Sequence, residues 1–189
     1  MDESRSDLDF SRVVLESAQF DEVLGRLVND LRSSVDDVDT LALVGVRTRG
    51  VPLAKRLQSA LNAQTDLSEV CLGALDITLY RDDVFQGLAI PEVGVTQLPF
   101  EVDGKCIVLV DDVLYTGRTV RAALDAIMDF GRPKWIRLLV LVDRGHRELP
   151  VQSDYCGITI TTSRDESVQV RLAELDGEDR VAVFQKKAD

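Results

Sequence analysis

A single histidine, His146, stands among the 189 residues, so no histidine-cluster metal site can be built from this chain alone. The three cysteines, Cys71, Cys106 and Cys156, are odd in number and far apart. Cys71 and Cys106 sit within or beside apolar runs and read as buried thiols, so neither a disulfide framework nor a zinc site is implied. No apolar run is long enough to span a bilayer. The first residues, Met1-Asp2-Glu3-Ser4-Arg5-Ser6-Asp7, are acidic and have no apolar signal core, so a cytoplasmic location is the expectation. Positive charge is scarce as well: 22 Lys and Arg face 33 Asp and Glu, a net charge of -11, which excludes a generic polyanion binder. The scarcity is uneven. Lys105 to Arg147 holds eight basic residues against five acids, whereas Met1 to Thr40 holds four arginines against eleven acids. An anion site is therefore expected in the middle of the chain. There is no internal repeat, low-complexity tract or second core.

What remains is an ordinary globular balance, 45% hydrophobic and 29% charged, in a chain long enough for one domain spanning residues 1–189. Residues 1–18 read as loosely ordered. Val23, Leu24, Leu27, Val28 and Leu31 form one helical stripe from Asp21 onward. Leu41 to Val46 is a buried strand, and Gly50 opens a helix with Leu53, Leu57 and Leu61 at four-residue spacing. Val70 to Leu79 is strand-like. Residues 82–104, carrying Gly87, Pro91, Gly94 and Pro99, read as a long mobile loop, and loops of that length are usually functional. Ile107 to Val110 and Ile136 to Val142 are central strands around a helix from Val120 to Phe130, which Gly131 and Pro133 stop. The tail alternates with period two at Ile158 and Ile160, at Val168, Val170 and Leu172, and at Val181 and Val183, as half-buried strands do. The fold class is α/β, with a mainly parallel sheet flanked by helices. Ligands in such sheets lie at the carboxyl ends of the strands. Three loops should converge there: Val46 to Gly50, Asp111 to Thr119, and Asp143 to Arg147.

The run Val108-Leu109-Val110-Asp111-Asp112-Val113-Leu114-Tyr115-Thr116-Gly117-Arg118-Thr119 is the most informative. A buried strand ends in two carboxylates, which can accept hydrogen bonds from two vicinal hydroxyls. The small-residue loop that follows opens a helix and offers backbone N–H groups and hydroxyls to a phosphate. A diol and a phosphate so close together describe a ribose 5-phosphate.

This run resembles the phosphoribosyl-pyrophosphate (PRPP) signature of type I phosphoribosyltransferases. Leu43 to Gly50, Asp76-Ile77-Thr78-Leu79-Tyr80-Arg81-Asp82-Asp83 and Val142-Asp143-Arg144-Gly145-His146-Arg147-Glu148-Leu149-Pro150 are similar to the family of bifunctional pyrimidine operon regulatory proteins/uracil phosphoribosyltransferases. The resemblance covers most of the chain from Leu41 onward. It implies the type I phosphoribosyltransferase fold, with residues 143–189 contributing a small β-rich hood and the C-terminal strands. It also implies a uracil phosphoribosyltransferase of pyrimidine salvage, which makes UMP and pyrophosphate from uracil and PRPP. The alternative is a UMP-sensing RNA-binding transcriptional attenuator of pyrimidine genes with little or no enzymatic role.

The resemblance also distributes roles. Asp111 and Asp112 would bind the ribose hydroxyls and stabilise charge at the anomeric carbon. Val113, Leu114, Tyr115, Thr116, Gly117, Arg118 and Thr119 would hold the 5-phosphate, with Arg118 either a ligand or a solvated helix charge. Tyr115 stands where purine-using relatives carry an Asp. Thr48, Arg49 and Gly50 would hold pyrophosphate, in a loop where relatives have a non-proline cis peptide. Arg81 would neutralise pyrophosphate or else pair with Asp82 or Asp83. Mg2+ would arrive on PRPP, with no direct protein ligand. Asp143, Arg144, Tyr155 and Cys156 would read the base, Tyr155 by stacking or else from within the core. His146 and Arg147 belong to the turn that contacts RNA in RNA-binding relatives. Gly25, Asn29 and Ser34 on the first helix, and Gln152 and Ile158 beyond the turn, stand where those relatives carry polar or basic residues. Catalysis with weak or absent RNA attenuation is therefore expected, in a homodimer or larger homo-oligomer.

Overall fold

The computed structural model describes residues 8–35, 38–64, 69–82 and 94–186. Its main sheet has the order β3-β2-β4-β5-β6 and is parallel throughout. The strands are β2 (Leu41–Val46), β3 (Cys71–Leu75), β4 (Cys106–Leu114), β5 (Trp135–Asp143) and β6 (Tyr155–Thr159). Helices α1 (Ser17–Ser34) and α2 (Gly50–Gln64) cover one face, and α3 (Arg118–Met128) covers the other. Every residue of β2 is buried, as a strand covered on both faces requires. Alternation sorts the β4 side chains: Val108 and Val110 join the core under α1 and α2, while Ile107 and Leu109 join the core under α3.

The hood is a separate antiparallel sheet, β1-β8-β7, from β1 (Leu8–Leu15), β7 (Glu166–Arg171) and β8 (Arg180–Lys186). A one-turn helix, α4 (Ala173–Asp176), separates β7 from β8. Here the structure corrects the reading of residues 1–18 over its described part. Leu8–Leu15 is a strand, paired from Leu8 with Lys186 to Leu15 with Val181. Register irregularities between Phe10 and Arg12 and between Val13 and Leu15 break its alternation, which hides it from a period-two search. The first helix also starts earlier than its stripe, at Ser17, where Gln19 Oε1 accepts the Glu16 N–H at 3.1 Å.

Two further readings shift. Residues 70–79 split into β3 and a turn of 3-10 helix at Thr78–Tyr80. Ile158 lies in β6, which extends the main sheet, whereas the hood contains Val168, Val170, Val181 and Val183. Gly157 lets β6 pack closely: a Cβ there would stand 2.5 Å from the Leu141 carbonyl and 2.7 Å from the Val23 side chain of α1. Of the long loop, residues 83–93 lie outside the described residues. Its far end returns to β3, with Ala74 and Gln97 exchanging two backbone hydrogen bonds of 2.8 Å.

Candidate functional site

The carboxyl ends of β2, β3 and β4 meet along one side of the sheet, and the cleft lies there. Its volume is about 510 Å³, with walls that include Arg47, Thr48, Asp76, Arg81, Asp111 and Asp112. A second hollow of about 270 Å³ adjoins it, lined by Tyr115, Thr116, Gly117, Arg118 and Thr119, and shares Arg81, Asp111, Val113 and Thr119 with the first. The larger space thus continues into the smaller one.

The alternation of β4 carries into the acidic pair. Asp111 continues the row of Ile107 and Leu109 toward α3 and lines both hollows. Asp112 continues the row of Val108 and Val110, toward α2, and the Arg49 charge acts on it. The two carboxylates therefore straddle the end of β4. Burial first, and then the Asp112 charge, push the Asp111 carboxyl well above the ordinary aspartate value of 3.8. Burial also raises Asp112, opposed by a hydrogen bond with Asp111 and by Arg49. Asp111 is only 7% exposed, and its Oδ1 accepts the Asp112 N–H at 3.0 Å. Two desolvated carboxylates that both line the cleft suit a ligand that donates two hydroxyl hydrogens to them.

Behind the small hollow, the chain is pinned by the segment that follows β5. The Thr116 carbonyl accepts N–H groups from Glu148 (2.9 Å) and Leu149 (3.0 Å). Gly117 adopts φ +93, a left-handed conformation that a side chain would strain, and so aims the first turn of α3 at the hollow. Arg118 points elsewhere, to Glu148 at 2.8 Å and to Asp82. Arg118 is thus an exposed ion-paired residue at the edge of the hollow it lines. This leaves Asp82 engaged with Arg118, while Asp83 lies outside the described residues.

On the far side of the cleft, the peptide between Arg47 and Thr48 is cis. Gly50 is packed against β4: a Cβ there would lie 2.2 Å from the Val110 carbonyl oxygen. Gly50→Ala is therefore expected to destabilise the fold by about 1–3 kcal/mol, because backbone must move to accommodate the methyl. Denaturant titration checks this, and an unchanged midpoint would contradict the close approach. Arg49 belongs to the expected pyrophosphate loop and follows the wall residues Arg47 and Thr48. Its guanidinium is engaged by the hood, donating to the Val170 carbonyl at 2.6 Å and to Asp176 at 3.1 Å.

Asp76, Thr78 and Gly94 had been given no role, yet all three line the cleft. The Asp76 carboxylate accepts N–H groups from Thr78 (2.8 Å) and Gly94 (2.7 Å), joining the two stems of the long loop. Burial raises its pKa, but these bonds and the nearby Arg47 outweigh it and bring the carboxyl below the ordinary value. The sequence signal was the Asp-x-Thr that follows β3, a common local turn pattern.

The remaining base and RNA assignments separate. Asp143 ends β5, where its carboxylate accepts the Gly145 N–H (2.9 Å) and pairs with Arg147. Arg144 is buried, stacks 4.1 Å over the Tyr115 ring, and donates to Thr162, Ser163 and Glu166 of the segment leading into the hood. Tyr155 and Cys156 pair with Leu139 and Val140, below the carboxyl end of β5. Tyr155 is buried, with its hydroxyl 2.5 Å from Ser34 Oγ and 2.9 Å from Arg137. Cys156 Sγ reaches the Ile158 carbonyl at 3.2 Å. Both are therefore framework residues, removed from the cleft by the register of β6. His146 Nε2 lies 2.6 Å from the Thr162 carbonyl, and its ring stands edge-on to Tyr115. Arg147 is turned inward, so neither residue presents its polar atoms as a free RNA-binding surface.

The match to known proteins follows this geometry. Residues 14–175 match the phosphoribosyl transferase domain. The chain belongs to the phosphoribosyltransferase family. Within it, the chain is 49% identical over 178 residues to the bifunctional protein PyrR of Thermus aquaticus, covering 94% of this chain and 98% of that one. It is 54% identical over 162 residues to the bifunctional protein PyrR of Pelotomaculum thermopropionicum, covering 86% and 89%. The fold is also that of a hypoxanthine-guanine phosphoribosyltransferase from Bacillus anthracis (TM-score 0.64, 16% identity, 92% and 98% covered). A purine phosphoribosyltransferase from Pyrococcus horikoshii shares it too (TM-score 0.58, 23% identity, 77% and 84% covered). In this phosphoribosyltransferase no cluster of three or more metal-ligating side chains occurs among the described residues. Mg2+ typically keeps several waters and takes one or two carboxylates plus substrate phosphates. The carboxylate oxygens of Asp111 and Asp112 in the cleft are hard donors of the kind Mg2+ takes.

Proposed function

We propose that this phosphoribosyltransferase transfers the phosphoribosyl group of PRPP to uracil, giving UMP and pyrophosphate. The observation that carries the reading is the straddling Asp111–Asp112 pair, placed between the smaller hollow and the Arg47–Thr48 wall. The hollow at residues 115–119 takes the 5-phosphate on backbone N–H groups and the Thr116 and Thr119 hydroxyls. The carboxylates accept the ribose hydroxyls. The bond from the anomeric carbon to pyrophosphate breaks, a bond from that carbon to a ring nitrogen of the base forms, and the base releases its N–H proton. Positive charge develops on the sugar between these steps, and the two carboxylates stabilise it without forming a covalent bond. Arg81, at the mouth of both hollows, and Arg47 carry charge opposite to that of the leaving group. Mg2+ bound with PRPP supplies further neutralisation of the pyrophosphate charge.

Side-by-side assays of uracil, orotate, hypoxanthine and guanine with PRPP test the base. Uracil-dependent pyrophosphate release exceeding the others by at least about 100-fold is expected, since a site built around one base rejects analogues that leave its polar groups unpaired. Faster turnover of a purine would refute the reading.

Regulation by RNA is the second activity that the resemblance to bifunctional pyrimidine operon regulatory proteins implies. Here the expected cations are missing at Gln152 and Ile158, and Arg147 is folded inward. Binding to phosphates depends on positive charge, so RNA attenuation is weak or absent on this reading. Filter binding with the protein's own pyrimidine-operon leader RNA, with and without UMP, checks it. Nanomolar affinity enhanced by UMP would reverse the conclusion.

A further inference from the structure

The wall formed by Arg47 and Thr48 has open space on both sides. The cleft lies in front, and a cavity of about 310 Å³ lies behind, between this peptide, Lys55 and the hood residues Glu174 and Leu175. Packing therefore does not fix the wall from behind. Arg47 is tied on its own side, its N–H donating to the Leu75 carbonyl at 2.9 Å and its guanidinium to the Val95 carbonyl at 3.0 Å, and the Thr48 side is restrained through the next residue. Arg49 donates from Nε to the Val170 carbonyl at 2.6 Å and from Nη2 to both oxygens of Asp176 at 3.1 Å. Asp176 is itself held, because its Oδ2 accepts the Leu172 N–H at 3.0 Å and its own N–H bonds to the Leu172 carbonyl at 2.7 Å. The side chains of this pair are 28% and 11% exposed. A charge-assisted fork of this kind fixes direction as well as distance.

We propose that Asp176 is a positioning residue: through Arg49 it holds the Arg47–Thr48 wall in the conformation that receives pyrophosphate. The inference rests on the reading of the cleft as the PRPP site. The hood itself does not depend on this one contact. Arg56 ties α2 to Glu174 at 2.5 Å and to Asp179 at 2.8 Å, and Arg171 pairs with Glu178 at 2.6 Å. Loss of the Asp176 charge therefore leaves the hood docked and frees the wall. A ligand that carries pyrophosphate will register the change, and one that lacks it will not.

The test compares PRPP and UMP in Asp176→Asn. The KM for PRPP is expected to rise about tenfold, product inhibition by pyrophosphate to weaken in parallel, and kcat to stay within about twofold, as loss of uniform binding requires. UMP affinity, measured by calorimetry, should be unchanged, and Glu178→Gln should alter none of these quantities. Arg49→Lys keeps the charge but cannot form the fork, and it should reproduce the PRPP effect even if Asp176→Asn fails to fold. Unchanged PRPP and pyrophosphate constants, or UMP weakened as much as PRPP, would overturn the proposal. A wild-type chain that binds UMP and turns over no PRPP would overturn the reading of the cleft instead, and the proposal with it.

Discussion

Asp111→Asn combined with Asp112→Asn is expected to lower UMP synthesis by at least about 10³-fold, while the unliganded protein becomes more stable. The activity loss follows from removing two preorganised negative groups from the place where positive charge develops, each worth about 10²–10³ in rate at comparable sites. The stability gain has the opposite origin. Both carboxyls hold their protons more tightly in the folded chain than in the unfolded one, principally because they are desolvated. Ionising them therefore costs folding free energy. The native chain is favoured below the ordinary aspartate value of 3.8 and loses that advantage as pH rises toward the raised folded values. The melting temperature of the double variant should exceed that of the wild type by a margin that grows across that window and then levels off. Thermal melts from acid to neutral pH, run beside PRPP-dependent turnover, read both effects. Retained activity, or a variant that melts lower at neutral pH, would contradict the assignment of the pair.

The second large effect concerns Arg147. Its guanidinium donates to the carbonyls of Val151 (3.0 Å), Tyr115 (2.8 Å) and Gly145 (3.1 Å) and pairs with the Asp143 carboxylate. These groups join the end of β5 to the back of the phosphate hollow. Arg147→Ala leaves an acid and several carbonyls without their donor, at an expected cost of about 3 kcal/mol. For a chain of this size that lowers the melting temperature by about 6–12 °C. PRPP affinity should fall in the same variant, because the Tyr115 backbone loses its support. Arg147→Lys should recover little of either, since an ammonium cannot serve carbonyls on several sides at once. A melting temperature within about 2 °C of the wild type would show that the contacts are dispensable.

Much of the α/β framework was legible because its signals are local. The buried strands at Leu41–Val46, Cys106–Leu114 and Trp135–Asp143 announce themselves as apolar runs. The acidic pair followed by Tyr115-Thr116-Gly117-Arg118-Thr119 places the two adjoining hollows by contiguity alone. Contacts between distant segments were not legible. The strand Leu8–Leu15 depends on a partner at the other end of the chain. Tyr155 could stack or pack equally well until the register of β6 put it below the cleft. Arg49, Arg118, His146 and Arg147 sat in motifs that suggested ligands, and a cation's type does not reveal which acceptor it will meet.

From its own residues the chain determined the order of its central strands and helices, the place of its acidic pair and the family it belongs to, because each depends on neighbours a few positions apart. Only the tertiary structure decided which arginines face the cleft and which brace it. A long cationic side chain reaches acceptors set by packing between segments as far apart as Arg49 and Asp176, and no local pattern encodes that choice.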